Sequence, residues 1–105
     1  MRILFDQGTP VPLRRYLDSH TVATAFELGW SNLRNGELLT AADIEFDLLI
    51  TTDQQIRYQQ NLVGRRLAIL VLLTTSWPRI QQHIPEILVA VETSQPGGYQ
   101  ELVLS

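Results

Sequence analysis

The sequence predicts an α/β domain built on a mostly parallel central sheet flanked by helices. Short apolar or β-branched runs alternate with segments of helical spacing along the whole chain, the signature of strands joined by crossover helices. Two of the runs, Leu48-Leu49-Ile50 and Leu67 to Leu73, are apolar without alternation, as strands buried on both faces are. The 105 residues, 45% hydrophobic and 18% charged, suit one soluble domain, 1–105, with a single core and no linker or repeat.

The elements follow in order. Ile3 to Phe5 is a first strand that stops at Asp6-Gln7-Gly8-Thr9-Pro10, a cluster of turn formers. Val11, Leu13, Tyr16 and Leu17 recur at spacings that predict a helix, with Thr9 and Pro10 as its start and Arg14 and Arg15 on its other face. Thr21 to Phe26 reads as a second strand. Asn35 looks like the cap of a helix running through Glu37, Leu38, Leu39, Ala41, Ala42 and Ile44. Leu48 to Thr52 is a third strand, Gln54 to Leu62 a short helix, and Leu67 to Leu73 a fourth strand. Ser76-Trp77-Pro78 begins a helical stripe through Ile80, Ile84, Ile87, Leu88 and Val91, which Pro85 should kink or break by removing a donor. Pro96-Gly97-Gly98 turns the chain into a terminal strand, Tyr99 to Leu104, at a sheet edge.

Composition excludes several classes. No apolar run approaches the ~20 residues of a membrane span, and with no cysteine there is neither a disulfide framework nor a thiolate zinc site. Met-Arg leads directly into an apolar strand and not into a signal sequence, so the expected compartment is the cytoplasm. The net charge of -3 argues against broad coating of nucleic acid, yet all 8 cations are Arg, whose planar fork suits carboxylate or phosphate.

Candidate chemistry centres on two acids that directly follow buried-type strands, Asp6 and Asp53. In an open parallel sheet all strand C-termini lie along one edge, so the two should converge there, and the N-terminus of the helix carrying Glu37 faces the same edge. Three carboxylates in one crevice repel unless a cation lies between them, and hard oxygen ligands suit Mg²⁺ or Mn²⁺, which could activate water and clamp a phosphodiester. Equally, Asp6 and Asp53 are turn residues of a common kind and Glu37 favours its helix start on electrostatic grounds. Arg57, Tyr58 and Asn61 mix a cation, an aromatic and an amide in the segment after Asp53, where a single nucleic-acid strand could stack and be held; a plain amphipathic helix accounts for them as well. Trp77 is open to base stacking or to packing at a helix start. His20 and His83 lack metal-spaced partners and read as surface residues.

Met1-Arg-Ile-Leu-Phe-Asp6-Gln-Gly-Thr-Pro10, Asn35-Gly-Glu37-Leu-Leu, Leu48-Leu-Ile-Thr-Thr-Asp53-Gln and Tyr58-Gln-Gln-Asn61-Leu together resemble the small PIN-like family of predicted nucleases of toxin-antitoxin systems. The resemblance runs in order over nearly the whole chain. It implies a PIN-like three-layer fold and a metal-dependent endoribonuclease in which water attacks phosphorus beside Mg²⁺ or Mn²⁺. Asp6, Glu37 and Asp53 match the family's acids and would be both catalytic residues and metal ligands. Its implied partners are RNA and a cognate antitoxin protein, with a homodimer as a further option and no membrane. Gln55 stands where relatives often carry a second Asp, and Asn35 where they often carry an Asp at the helix start. Asn35, Gln54 and Gln55 could then supply neutral oxygens, or the domain could be a protein- or RNA-binding module with a weakened site.

Overall fold

The computed structural model describes residues 1–58 and 64–105. Five strands, β1 (Arg2–Phe5), β2 (Thr21–Thr24), β3 (Leu48–Thr51), β4 (Ala68–Leu72) and β5 (Tyr99–Leu102), form one sheet in the order β2-β1-β3-β4-β5, and each neighbouring pair is parallel. The three central strands alternate apolar side chains between two covered faces, as a strand period of two dictates. Ile3, Phe5, Leu48, Ile50, Ala68, Leu70 and Leu72 face one layer; Leu4, Leu49, Ile69 and Val71 face the other.

The first layer holds a 3-10 helix, Val11–Leu17, and the helices here called α2 (Trp77–Gln82) and α3 (Ile84–Glu92), which contribute Leu13, Leu17, Ile80, Ile84, Ile87, Ala90 and Val91. The second layer is α1 (Asn35–Glu45), with Leu38, Leu39 and Ala42, joined by Phe46 and by Ile56 from a 3-10 turn, Ile56–Tyr58. A three-layer α/β fold with a parallel sheet results, as the sequence predicts, and the sheet is parallel throughout.

Local differences from the expected elements have physical causes. Of the two outcomes expected at Pro85, a kink or a break, the stripe over Ile80 to Val91 shows the break: His83 ends α2 and caps α3, leaving Pro85 in the first turn, where its missing N–H has no intrahelical acceptor to lose. The second strand stops at Thr24 because Thr24 and Glu27 exchange hydrogen bonds, Thr24 N–H to Glu27 Oε1 at 2.9 Å and Glu27 N–H to Thr24 Oγ1 at 3.1 Å, which winds 25–29 into a turn. Thr9 does not cap the following helix, since its hydroxyl is drawn back to Asp6 and the Ile50 carbonyl. Of the helix expected over Gln54 to Leu62, the described part is the 3-10 turn at Ile56–Tyr58.

The N-terminal edge of the sheet is tied by charge. Asp47 accepts from Arg2 N–H at 2.7 Å and from Arg66 Nη1 at 3.1 Å, and its carboxyl is held below the usual range, first by the Arg2 amide and then by the Arg66 guanidinium. Asp43 Oδ1 accepts Leu67 N–H at 2.8 Å, fastening the end of α1 to the start of β4. No helix among the described residues is long and apolar enough to cross a membrane.

Candidate active site at the β1 and β3 termini

The connection leaving β1 reaches β2 on one side, and the chain then crosses to β3 on the other, so the strand order reverses between β1 and β3. That reversal opens a crevice at the C-terminal ends of adjacent strands, the usual ligand position in doubly wound sheets. Asp6 follows β1 and Asp53 follows β3 by two residues, and the Ile3 to Leu48 register places both at this crevice.

A continuous set of hydrogen bonds joins them. Asp6 Oδ1 accepts from the Thr9 hydroxyl at 2.9 Å, and Asp6 Oδ2 accepts from the Thr51 hydroxyl. Thr51 Oγ1 in turn accepts Asp53 N–H at 3.0 Å, so one buried hydroxyl bridges the two acids. Asp53 Oδ1 accepts Gln55 N–H at 2.9 Å in an Asx turn, and Asp53 Oδ2 accepts from Asn35 Nδ2 at 2.6 Å. Asn35 is free to do this because Arg34, and not Asn35, is the helix N-cap.

The Asp6 carboxyl is pushed above the usual carboxylate value, chiefly by burial and further by the negative charge of Asp53, against the hydrogen bonds from Thr51, Thr9 and the Gly8 amide. A native value above the unfolded one means the folded chain binds the proton more tightly, so this group's contribution to stability is complete below the unfolded value and is lost as pH rises through the native one. In chelator, Asp6→Asn is therefore expected to raise the melting temperature at pH 7, with the gain over wild type shrinking as pH falls through the carboxylate range. An equal shift at every pH would show that the charge is not the cause.

Gly8 keeps the loop close to β3. A Cβ there would lie 2.5 Å from Thr52 Oγ1, so Gly8→Ala should cost about 1–3 kcal/mol by overpacking. Thr52→Ala in the same chain should recover most of it, as urea denaturation of the single and double variants would show.

The other expected site residues are distributed as follows. Glu37 is exposed in the first turn of α1, and its Oε1 accepts Arg34 N–H at 3.0 Å, fixing the helix start; it shares no hydrogen bond with Asp6 or Asp53. Among the described residues no group of three His, Cys, Asp or Glu side chains is spaced to hold a metal ion. Gln54 and Gln55 are exposed beside Asp53, with Arg57 and Tyr58, along a depression of about 250 Å³ that Leu73 and Glu101 complete. Arg57 is engaged there: Nη2 donates to Tyr58 Oη at 2.6 Å, the guanidinium lies 4.8 Å from the Tyr58 ring centroid, and Glu101 Oε2 is 3.6 Å from Nη1. Asn61 lies outside the described residues.

Trp77 packs on the first core layer and against Tyr16, with ring centroids 6.3 Å apart. His20, expected at the surface, is largely covered and pairs with Glu92 at 3.2 Å. His83 bridges Glu86 at 2.8 Å and the Ser105 carbonyl at 2.9 Å.

Sequence reasoning missed the roles of Thr51 and Thr9. The available signal was a hydroxyl at the end of an otherwise apolar buried strand, immediately before an acid. Comparison with protein-family models, with curated proteins and with solved structures finds no match to the chain.

Proposed function

We propose that this chain is a metal-dependent endoribonuclease of the PIN-like kind, acting in the cytoplasm as the toxin of a toxin-antitoxin pair. The observation that carries the catalytic part is the Asp6 and Asp53 pair, bridged by Thr51 at the switch point of a parallel sheet. The assignment to RNA, and to an antitoxin partner and a homodimer, rests on the four sequence segments that resemble the family.

The residues fit a hard divalent cation. Asp6 and Asp53 offer carboxylate oxygens, and a buried carboxylate destabilised by burial and by a neighbouring acid is one that a cation would relieve. Asp6 and Asp53 would hold Mg²⁺ or Mn²⁺, with Asn35, Gln54 and Gln55 as neutral oxygen donors; Glu37, engaged at its own helix start, stands outside this set. Bound there, the ion would supply water activation and neutralisation of phosphate charge. The chain's own contribution is orientation. Thr9 and Thr51 fix the Asp6 carboxylate, Asn35 and the Gln55 amide fix that of Asp53, and such outer partners typically matter about 10–100-fold in metal affinity or activity.

A second reading, an RNA- or protein-binding module with a weakened site, is favoured by Glu37 being engaged at its own helix start and by Asn35 donating to Asp53. Incubation of the chain with end-labelled single-stranded RNA separates the two. Cleavage with Mn²⁺ that disappears with chelator supports the nuclease; binding without cleavage supports the module, and chelator-insensitive cleavage removes the metal mechanism.

A further inference from the structure

A cleft of about 360 Å³ adjoins the acid pair, its lining including Asp6, Thr9, Val11, Arg14, Phe26 and Glu27. Its size is that of a small planar ligand site. Phe26 is 76% exposed and Val11 54%, so an aromatic face and an aliphatic one are presented to solvent directly beside the candidate active site.

The backbone that carries the aromatic is held in place. The Thr24 and Glu27 exchange closes its turn, Ala25 N–H donates to Phe5 O at 2.9 Å, and Trp30 N–H donates to Ala25 O at 2.8 Å. Arg14 Nη1 and Glu27 Oε2, 3.2 Å apart, tie the turn to the 3-10 helix across the cleft. A fixed turn lowers the cost of ordering the backbone beneath the ring when something stacks on it.

Charge identifies the occupant. Beyond Val11, Arg14 and Arg15 line a shallow depression continuous with the cleft's Val11 wall. Arg15 is exposed and makes no ion pair or hydrogen bond among the described residues, although the chain as a whole is acidic. An apolar peptide side chain would use the ring and leave this cation idle. An unpaired nucleotide would use both, its base on the ring and its phosphate on the guanidinium.

We propose that the cleft between the Val11–Leu17 helix and the 25–29 turn is a subsite for one unpaired base of single-stranded RNA, stacked on Phe26 with an adjoining phosphate at Arg15. The subsite rests on the RNA reading above, but not on cleavage.

The test is binding of a fluorescein-labelled, mixed-sequence single-stranded RNA, measured by anisotropy in chelator so that no turnover occurs. Phe26→Ala and Phe26→Leu should each weaken binding roughly tenfold or more, the share of one base–aromatic stack, and Phe26→Trp should retain it. Arg15→Gln should make the dependence of log affinity on log salt shallower by about 0.7. Undiminished binding in Phe26→Ala overturns the subsite and leaves the cleft to a protein side chain; retained binding in Phe26→Leu overturns stacking in favour of a merely apolar groove. Wild type that does not bind RNA overturns it as well. Parallel cleavage assays in Mn²⁺ separate the two readings. Phe26-dependent binding without cleavage sinks the nuclease alone, whereas cleavage with Phe26-independent binding sinks the subsite alone.

Discussion

Asp53→Asn is expected to lower Mn²⁺-dependent RNA cleavage by roughly 100-fold or more while leaving the chain folded. Loss of an ion's charge stabilisation of a transition state is worth several kcal/mol, and each 1.4 kcal/mol or so is about tenfold in rate. The substitution removes a ligand charge but keeps the side chain's shape. Its amide oxygen can still accept Gln55 N–H, and the Asn35 amide can turn its oxygen toward the new NH₂ group. Removing one of two neighbouring negative charges also relieves Asp6, so the metal-free variant should melt at the same temperature as wild type or higher. Kinetics in Mn²⁺ and thermal melts in chelator check the two halves. Equal cleavage by both proteins, or a variant that fails to fold, contradicts the role given to Asp53.

Phe5→Ala is expected to be the most damaging single change to stability, at about 3–5 kcal/mol. Phe5 is fully buried on β1, between Thr24 of β2 and Ile50 of β3, and packs into the layer formed by the 3-10 helix, α2 and α3. The β-sheet backbone around it cannot collapse into the cavity, because both neighbouring strands are fixed in register. Against a typical total of about 5–15 kcal/mol this is a large share, and the melting temperature should fall by roughly 12 °C or more. Val103→Ala, at a side chain 72% exposed, is the matched control and should stay within about 0.5 kcal/mol. Urea denaturation of both variants gives the comparison.

The parts of the fold that could be read from the sequence are those governed by local pattern. Unalternating runs at Leu48 to Thr51 and Ala68 to Leu72 are buried along their whole length, and Pro85 interrupts a helix where a missing donor demands it. What escaped depends on which partner a polar side chain finds. Thr9-Pro10 is a helix-start signal, but the Thr9 hydroxyl finds Asp6 and, 41 residues away in sequence, the Ile50 carbonyl. Thr24 and Glu27 carry the Thr-x-x-Glu spacing of a capping box, a signal that was present but hidden inside an apparent strand.

Convergence of Asp6 and Asp53 followed from strand order alone, since a parallel sheet delivers every strand end to one edge. Glu37 shows the limit of that logic. Its position in the first turn of α1 brings it to the edge, but its carboxylate accepts the Arg34 amide at its own helix start. A long side chain turns to the partner within reach, here the helix start that its first-turn position also favours.

The most direct measurement of the central claim is a crystal of this chain soaked in Mn²⁺ and recorded at a wavelength where manganese scatters anomalously. A peak is expected within ligand distance of carboxylate oxygens of both Asp6 and Asp53, lost in Asp53→Asn crystals soaked alike. No peak at this crevice, at Mn²⁺ concentrations that support cleavage in solution, would contradict it.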